Sequence, residues 1–364
     1  MVAGLMKALG ELPYATADLP GVGGQIGPEP EDFRVDEIPA YLPSGSGDHV
    51  YVRVRKRGLT TQSAVALLAR AAVVKERDIG HAGMKDKHAV TTQWFSLPRT
   101  PLAPEKWSLP VGLELLEASR HVNKLRTGHL IGNRFTIALT GVDNAGLVRA
   151  QAILERLAQN GLYNYFGQQR FGMHGDNMTR ALAWLRGEER VARHQARFLS
   201  KLYPSVIQAE VFNRYVVLRI QHGLQQLLPG EVVRLEGTGS MFIVEDPERE
   251  GSRFAARDLH LTGPITGPKM LRAQRSAREI EERALREAGL EPADLDALGR
   301  HVPGSRRDLL VFPKNVDVAW VGDRLAFSFE LPAGSYATVL VREVTRADTP
   351  TPPPAEDSGS DDEP

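Results

Sequence analysis

The chain has 364 residues, 42% of them hydrophobic and none cysteine, so a sizeable core and two or three compact units are expected, while disulfides, thiolate nucleophiles and thiolate metal sites are excluded. No stretch reaches the roughly 18 consecutive apolar residues of a membrane span, and the first residues lack the basic-then-apolar pattern of a secretion signal, so a cytoplasmic location without membrane attachment is expected. The formal charge is zero, but residues 345–364 hold six acidic residues and one basic; taking these from 45 and 45 leaves 44 basic against 39 acidic, about +5 in the body, which keeps a polyanionic partner open.

Residues 1–28 are rich in Gly and Pro, with a short possible helix at Leu5 to Leu12. The glycines from Gly21 to Gly27 have the wrong spacing for a dinucleotide fingerprint and read as a turn. From His49 to Arg57 the residues alternate: Val50, Val52 and Val54 on one face, Tyr51, Arg53, Arg55 and Arg57 on the other, the period of a half-buried strand. Thr60 or Thr61 caps a helix striped by Ala64, Leu67, Leu68 and Ala71. Strands are expected over Val90 to Leu97 and Phe135 to Leu139, and a helix over Leu147 to Leu157 that closes at Asn160-Gly161. The middle segment, 161–314, predicts short helices around Thr179 to Leu185, a strand at Tyr215 to Ile220, and a charged helix from Ala277 to Ala288. Strands are then expected at Asp317 to Val321, Arg324 to Glu330 and Ala337 to Val344. These last strands have few residues with which to build a core alone, so they are expected to complete the N-terminal sheet. The resulting organisation is an α/β or α+β domain of residues 1–160 plus 315–344, an insertion of 161–314, and a disordered acidic tail of 345–364.

Three segments concentrate chemistry. Gly80 to Val90 is a glycine-containing loop in which Lys85 and Lys87 flank Asp86; neighbouring cations favour the carboxylate, although Lys-Asp-Lys by composition alone is more often a solvated turn. Arg120 to Arg134 contains four Arg or Lys residues, His121 and His129, and no acidic residue, a composition able to neutralise phosphates. Asn164 to Gly172 interleaves aromatics with glycine, amides and arginine, which suits either single-stranded RNA or packing at a domain junction. The ten histidines are scattered without a zinc-enzyme motif, so no metal is expected, and Pro43 to Gly47 does not form a nucleophile elbow.

Several blocks in chain order resemble the TruD family of tRNA pseudouridine synthases. They are Pro30-Glu31-Asp32-Phe33 with Val35 and Glu37; Gly83 to Thr91 followed by Gln93-Trp94; Gly128-His129-Leu130 leading to Gly132-Asn133-Arg134-Phe135; Asn164 to Gly172; and Leu331 to Thr338 ending near Arg342-Glu343. The resemblance implies a catalytic domain of pseudouridine-synthase fold, with an antiparallel-rich mixed sheet interrupted by a family-specific insertion. It further implies isomerisation of uridine 13 of certain tRNAs by a monomeric enzyme that needs no cofactor. By position, Asp86 matches the family's catalytic nucleophile. Asn133 and Phe135 match groups that place the target uracil, Phe135 by stacking. Phe33 and Tyr336 match aromatics lining the pocket, and Lys85 and Arg134, within the same blocks, are expected to contact the substrate. Tyr336 stands where phenylalanine is common, and Gly27 where many relatives carry a lysine whose role is then vacant or falls to Lys85 or Lys87. The rival reading is a non-catalytic tRNA-binding or RNA-folding protein on the same scaffold; a small-molecule hydrolase is disfavoured by the acid-free Arg120 to Arg134 segment.

Overall fold

The computed structural model describes residues 12–101, 103–172 and 176–347, which form two compact units. One comprises Leu19–Gln159, Pro313–Ala337 and 344–347; the other comprises 12–18, Asn160–Phe312 and Thr338–Glu343. The expected helix at Leu5 to Leu12 and most of the acidic tail lie outside the described residues.

The first unit opens with β1 (Gln25–Ile26), β2 (Phe33–Pro39) and β3 (His49–Arg57). Next comes α1 (Thr61–Ala72), whose N-cap Thr60 accepts the Ser63 N–H at 3.0 Å, a bond worth about 1 kcal/mol. After β4 (Gly80–His81) follow β5 (Val90–Pro98), β6 (Leu113–His121), β7 (Leu130–Thr140) and α2 (Gly146–Asn160). Gly161 ends α2 with φ +90°, a conformation that L side chains rarely adopt.

In the middle segment, β8 (Leu162–Tyr163) leads to α3 (Asn177–Leu185) and the 29-residue α4 (Arg193–Gln221). There follow β9 (Val232–Leu235), β10 (Met241–Ile243), α5 (Pro247–Ala255), β11 (Leu259–Ile265), α6 (Arg275–Glu287), α7 (Pro292–Gly299), β12 (Ser305–Asp308) and β13 (Leu310–Val311). One small sheet runs β10-β9-β11-β12, and β13 pairs with β8. The strand expected at Tyr215 to Ile220 is instead the last part of α4. Its β-branched residues favour extended backbone locally, but this part of α4 is buried, with Val206, Ile207, Ala209, Val211, Phe212, Tyr215 and Val216 each at 0% exposure, and tertiary burial overrides propensity. The same helix buries Arg219, whose guanidinium is paired with Glu231 at 2.8 Å with both side chains at 0% exposure. Glu231→Ala leaves that cation buried and unpaired, so unfolding free energy is expected to drop by about 3–5 kcal/mol, read from the unfolding transition of purified variant and wild type.

The chain returns to the first unit with β14 (Lys314–Val321) and β15 (Arg324–Pro332). They extend a nine-stranded sheet of order β14-β15-β7-β2-β5-β3-β6, with β1 on β7 and β4 on β5. Every pairing is antiparallel except β2 with β5, so the fold is α+β with an antiparallel-rich mixed sheet. The third expected closing strand, Ala337 to Val344, is helix α8 (Ala337–Thr345). Its side chains decide the matter: within the second unit Glu343 accepts the Ala15 N–H at 2.7 Å and the Thr16 hydroxyl at 2.8 Å, while Arg342 donates to the Leu12 carbonyl at 2.5 Å. Successive residues of a strand point to opposite faces; a helix lets both neighbours reach residues 12–16.

Beneath the first unit's sheet, α1 packs Ala64, Leu68, Ala69 and Ala72 against Val52, Val54, Phe95 and Leu97. That face also carries the chemistry.

Candidate functional site

Pairing register places two rows of side chains side by side on the face covered by α1. Lys56 of β3 is opposite Thr91 of β5, Thr91 opposite Val35 of β2, Val35 opposite Phe135 of β7, and Phe135 opposite Phe329 of β15. Two residues along, Val54 pairs with Gln93, and Glu37 pairs with Asn133, which pairs with Leu331. Residues directly opposite share a face and residues two apart share it too. Segments from five strands thus converge there.

The loop between β4 and β5 is bound to these rows by its backbone. Thr61 Oγ1 accepts the Lys85 N–H at 2.8 Å and donates to Gln93 Oε1 at 3.0 Å, and Gln93 Nε2 donates to the Gly83 carbonyl at 3.1 Å. Lys56, 1% exposed, sends its ammonium up to the carbonyls of Leu59 (2.5 Å), Asp86 (2.8 Å) and Lys85 (3.4 Å). Burial pushes the Lys56 ammonium down to about 8, opposed by the attraction of Asp86 and reinforced by Lys85. The Lys85 side chain turns inward, its Nζ 3.3 Å from Glu37 Oε2, with the pair almost fully buried. Burial pushes the Glu37 carboxyl upward, against the pull of Lys85 and of the Trp94 N–H that donates to its other oxygen at 3.2 Å. Asp86 itself stands exposed on the loop. A carboxylate is therefore presented to solvent by a loop whose main chain is fixed from below.

Beside it, the face is short of hydrogen bonds. Among the described residues the buried atoms Thr91 Oγ1, Asn133 Oδ1 and Glu37 Oε2 make none, although Glu37 Oε2 has the charge of Lys85 nearby. Leaving a buried polar group unsatisfied costs about 1–3 kcal/mol, and Thr91 Oγ1 and Asn133 Oδ1, in two adjacent rows, stand in that condition. The aromatic part of the face is Phe135, stacked on Phe329 at 5.3 Å and 23°, with Phe33 edge-on at 6.3 Å.

Phe33, Asn133 and Phe135 therefore share one sheet face with the residues that hold the Asp86 loop, and Lys85 belongs to the loop's foundation through Glu37. Tyr336 is half-buried, four residues beyond the end of β15. Arg134 is not brought together with them: alternation sends it to the opposite face, where it pairs with its register neighbour Glu330 at 2.6 Å. Two other cations of β3 are likewise engaged, Arg55 with Glu114 and Arg57 with Glu31. In the second unit Phe166 packs on Arg307 and Phe212, and Tyr165 is buried. Beside Gly27, the Asp32 carboxylate fills the space that a side chain would need, and Arg324 is paired with that carboxylate.

Lys56 is the residue that sequence reasoning missed. Its signal was parity: it continues the Val50, Val52, Val54 face and so had to point inward.

Gly132 shows why the Gly-Asn-Arg-Phe block begins as it does. An added Cβ would collide with the Leu331 carbonyl oxygen, so Gly132→Ala is expected to force β7 from β15, cost about 1–3 kcal/mol and move Asn133. Denaturant unfolding gives the first effect. A raised KM for substrate gives the second.

Comparison with known proteins follows the same lines. The model of the TruD family, tRNA pseudouridine synthase D, matches residues 9–188 and 177–344. A tRNA pseudouridine synthase D of Anaeromyxobacter dehalogenans strain 2CP-C is 46% identical over 352 residues, covering 94% of this chain and 99% of the relative. One from Thermus thermophilus is 41% identical over 345 residues, covering 92% of each. Among solved structures, the crystal structure assigned to TruD from Methanosarcina mazei superposes with a TM-score of 0.69 at 22% identity, over 93% of this chain and 96% of that one, a likeness of fold.

Proposed function

We propose that the protein isomerises uridine to pseudouridine in tRNA, on the premise that the chain belongs to the TruD family, the tRNA pseudouridine synthases D. The target is the uridine at position 13, the reaction proceeds in the cytoplasm on a monomer, and Asp86 is the nucleophile. The unit containing the nine-stranded sheet is the catalytic domain, and the middle segment is the family's insertion. The observation that carries this reading is the exposed Asp86 held above a face with unsatisfied polar atoms and an aromatic cluster.

The reaction breaks N1–C1′, forms C5–C1′, releases the C5 proton and protonates N1. No atom or electron is gained overall, so the balance calls for no redox partner. The target base must leave its stack, at a cost of a few kcal/mol. Phe135, with Phe33 and Phe329 around it, gives the extruded ring an apolar neighbour. Asn133 suits the uracil edge because a side-chain amide can accept from N3–H and donate to O4. Asp86 then forms a covalent intermediate that divides one difficult step into two, while Lys85 and Glu37 fix the loop's entry and Tyr336 borders the pocket. Arg134, paired with Glu330 on the other face, stands apart from these groups.

The test is incubation of purified protein with unmodified tRNA transcript, followed by chemical mapping of pseudouridine at single-nucleotide resolution. A single new mark at position 13 is the expected result. Tight binding without any mark would favour a non-catalytic RNA-binding protein.

A further inference from the structure

A second concave site lies beside the Asp86 loop within the same unit. It is a cavity of about 540 Å³ lined by Tyr41, His121, Asn123, Lys124, Arg126 and His129. None of these six is acidic. Its aromatic wall is built: Tyr41 stacks on His121 at 5.1 Å and 22°, and the Tyr41 hydroxyl is 2.7 Å from His129 Nδ1. Behind it, the Tyr51 hydroxyl donates to the Asn123 carbonyl at 3.0 Å. His121 Nδ1 accepts the Ser44 N–H at 3.2 Å, which assigns the ring proton to Nε2 and makes that nitrogen a donor. Lys124 spends one of its three N–H bonds on the Arg77 carbonyl at 3.0 Å, and among the described residues the other two are left for a ligand. Arg126 is exposed and makes no ion pair among the described residues.

The cavity is therefore rich in donors and cations, with flat rings on one side. A carboxylate-free lining of this kind complements an anion whose charge lies on oxygen.

Its position narrows the choice. The lining segment is fastened to the strand that leads into the Asp86 loop: the Gly128 N–H donates to the Ala82 carbonyl at 2.8 Å, and the Leu125 N–H donates to Ser96 Oγ at 2.9 Å. Ala82 and Asp86 are four residues apart, a span of at most about 14 Å in extended chain. We infer that this cavity is a subsite for a phosphodiester of the RNA strand next to the nucleotide held at Asp86, with Lys124 and Arg126 neutralising the phosphate and the Tyr41–His121 stack walling its ribose. The inference rests on the proposed tRNA substrate. It assigns an anchoring role that lies outside the reaction itself, holding the strand while its target base is extruded.

The experiment uses full-length protein carrying Lys124→Ala and Arg126→Ala together, compared with wild type. Binding to tRNA is measured from 50 to 200 mM salt, and kcat and KM are measured for pseudouridine formation. Removing these contacts is expected to weaken binding about tenfold and to lessen the slope of log affinity against log salt by roughly one. KM should rise in step while kcat stays within about twofold. An unchanged salt slope would overturn the subsite. Uridine monophosphate is the second probe: if it competes with tRNA at micromolar concentration in wild type and loses that power in the double variant, the cavity takes a free nucleotide and the RNA reading of it is wrong. A wild-type protein that binds tRNA but leaves it unmodified contradicts the enzyme proposal alone, because the salt slope still reports on the subsite.

Discussion

Asp86→Asn is expected to eliminate pseudouridine formation, lowering kcat by at least ~10⁴-fold, the scale seen when a covalent nucleophile is removed. The amide keeps the size of the carboxylate and loses its negative charge, so the effect isolates nucleophilicity. Because Asp86 is exposed, and its hydrogen bond to Lys56 is made by the backbone carbonyl, the fold is expected to tolerate the change within about 0.5 kcal/mol. Affinity for tRNA should remain within about twofold. Single-turnover assays with saturating enzyme and a filter-binding titration separate the two quantities. A variant that keeps a tenth of wild-type activity would remove Asp86 from the chemistry.

The second large effect is expected at a residue that touches no substrate. Lys56→Met keeps an apolar stem in the core and takes away the ammonium that gathers the carbonyls of Leu59, Lys85 and Asp86. The loop is then free to drift, and a displacement of about 1 Å at a reacting group can cost ~10²-fold in rate. A drop of that size in kcat is expected with little change in affinity, since Lys56 is 1% exposed and cannot reach RNA. The pH dependence distinguishes positioning from bulk stability. Burial lowers the Lys56 ammonium to about 8 from 10.5, so between those values the unfolded chain binds more protons than the folded one, and this residue makes unfolding free energy rise with pH. The clamp runs the other way: as Lys56 loses its proton above about 8, the loop loses its charged donor. Wild-type kcat is therefore expected to decline through pH 8 while the Lys56 contribution to stability increases. In Lys56→Met both dependences should vanish.

How much of this was legible beforehand depends on the kind of signal. Strand β3 and helix α1 were readable because alternation and a capped apolar stripe are local patterns that also agree with burial. Tyr215 to Ile220 and Ala337 to Val344 were misread for one reason. Their β-branched residues favour strands, and only the surroundings of α4 and α8, unknown to a local window, make them helices. The return of Asp317 to Val321 and Arg324 to Glu330 to the first sheet followed from counting strands against available core, whereas the residues alone left α/β or α+β open and the family resemblance implied α+β.

The site was legible in parts. Lys-Asp-Lys reads as a solvated turn on composition, and the surrounding blocks singled out Asp86 only through their family resemblance. Arg134 was grouped with Asn133 and Phe135 by adjacency, yet period-two alternation in β7 sends it to the other face. Lys56 was not singled out, although parity placed it with the valines. The bonds joining Thr61, Gln93, Glu37 and Lys85 come from four separated segments, and no spacing along the chain announces them.

Modification of tRNA by this chain through Asp86 can be read in cells. Pseudouridine is mapped at position 13 of tRNA from a strain lacking the gene, and from the same strain complemented with wild type or with Asp86→Asn. The mark is expected to disappear on deletion, return with wild type and stay absent with Asp86→Asn. Restoration of the mark by Asp86→Asn would contradict modification through Asp86.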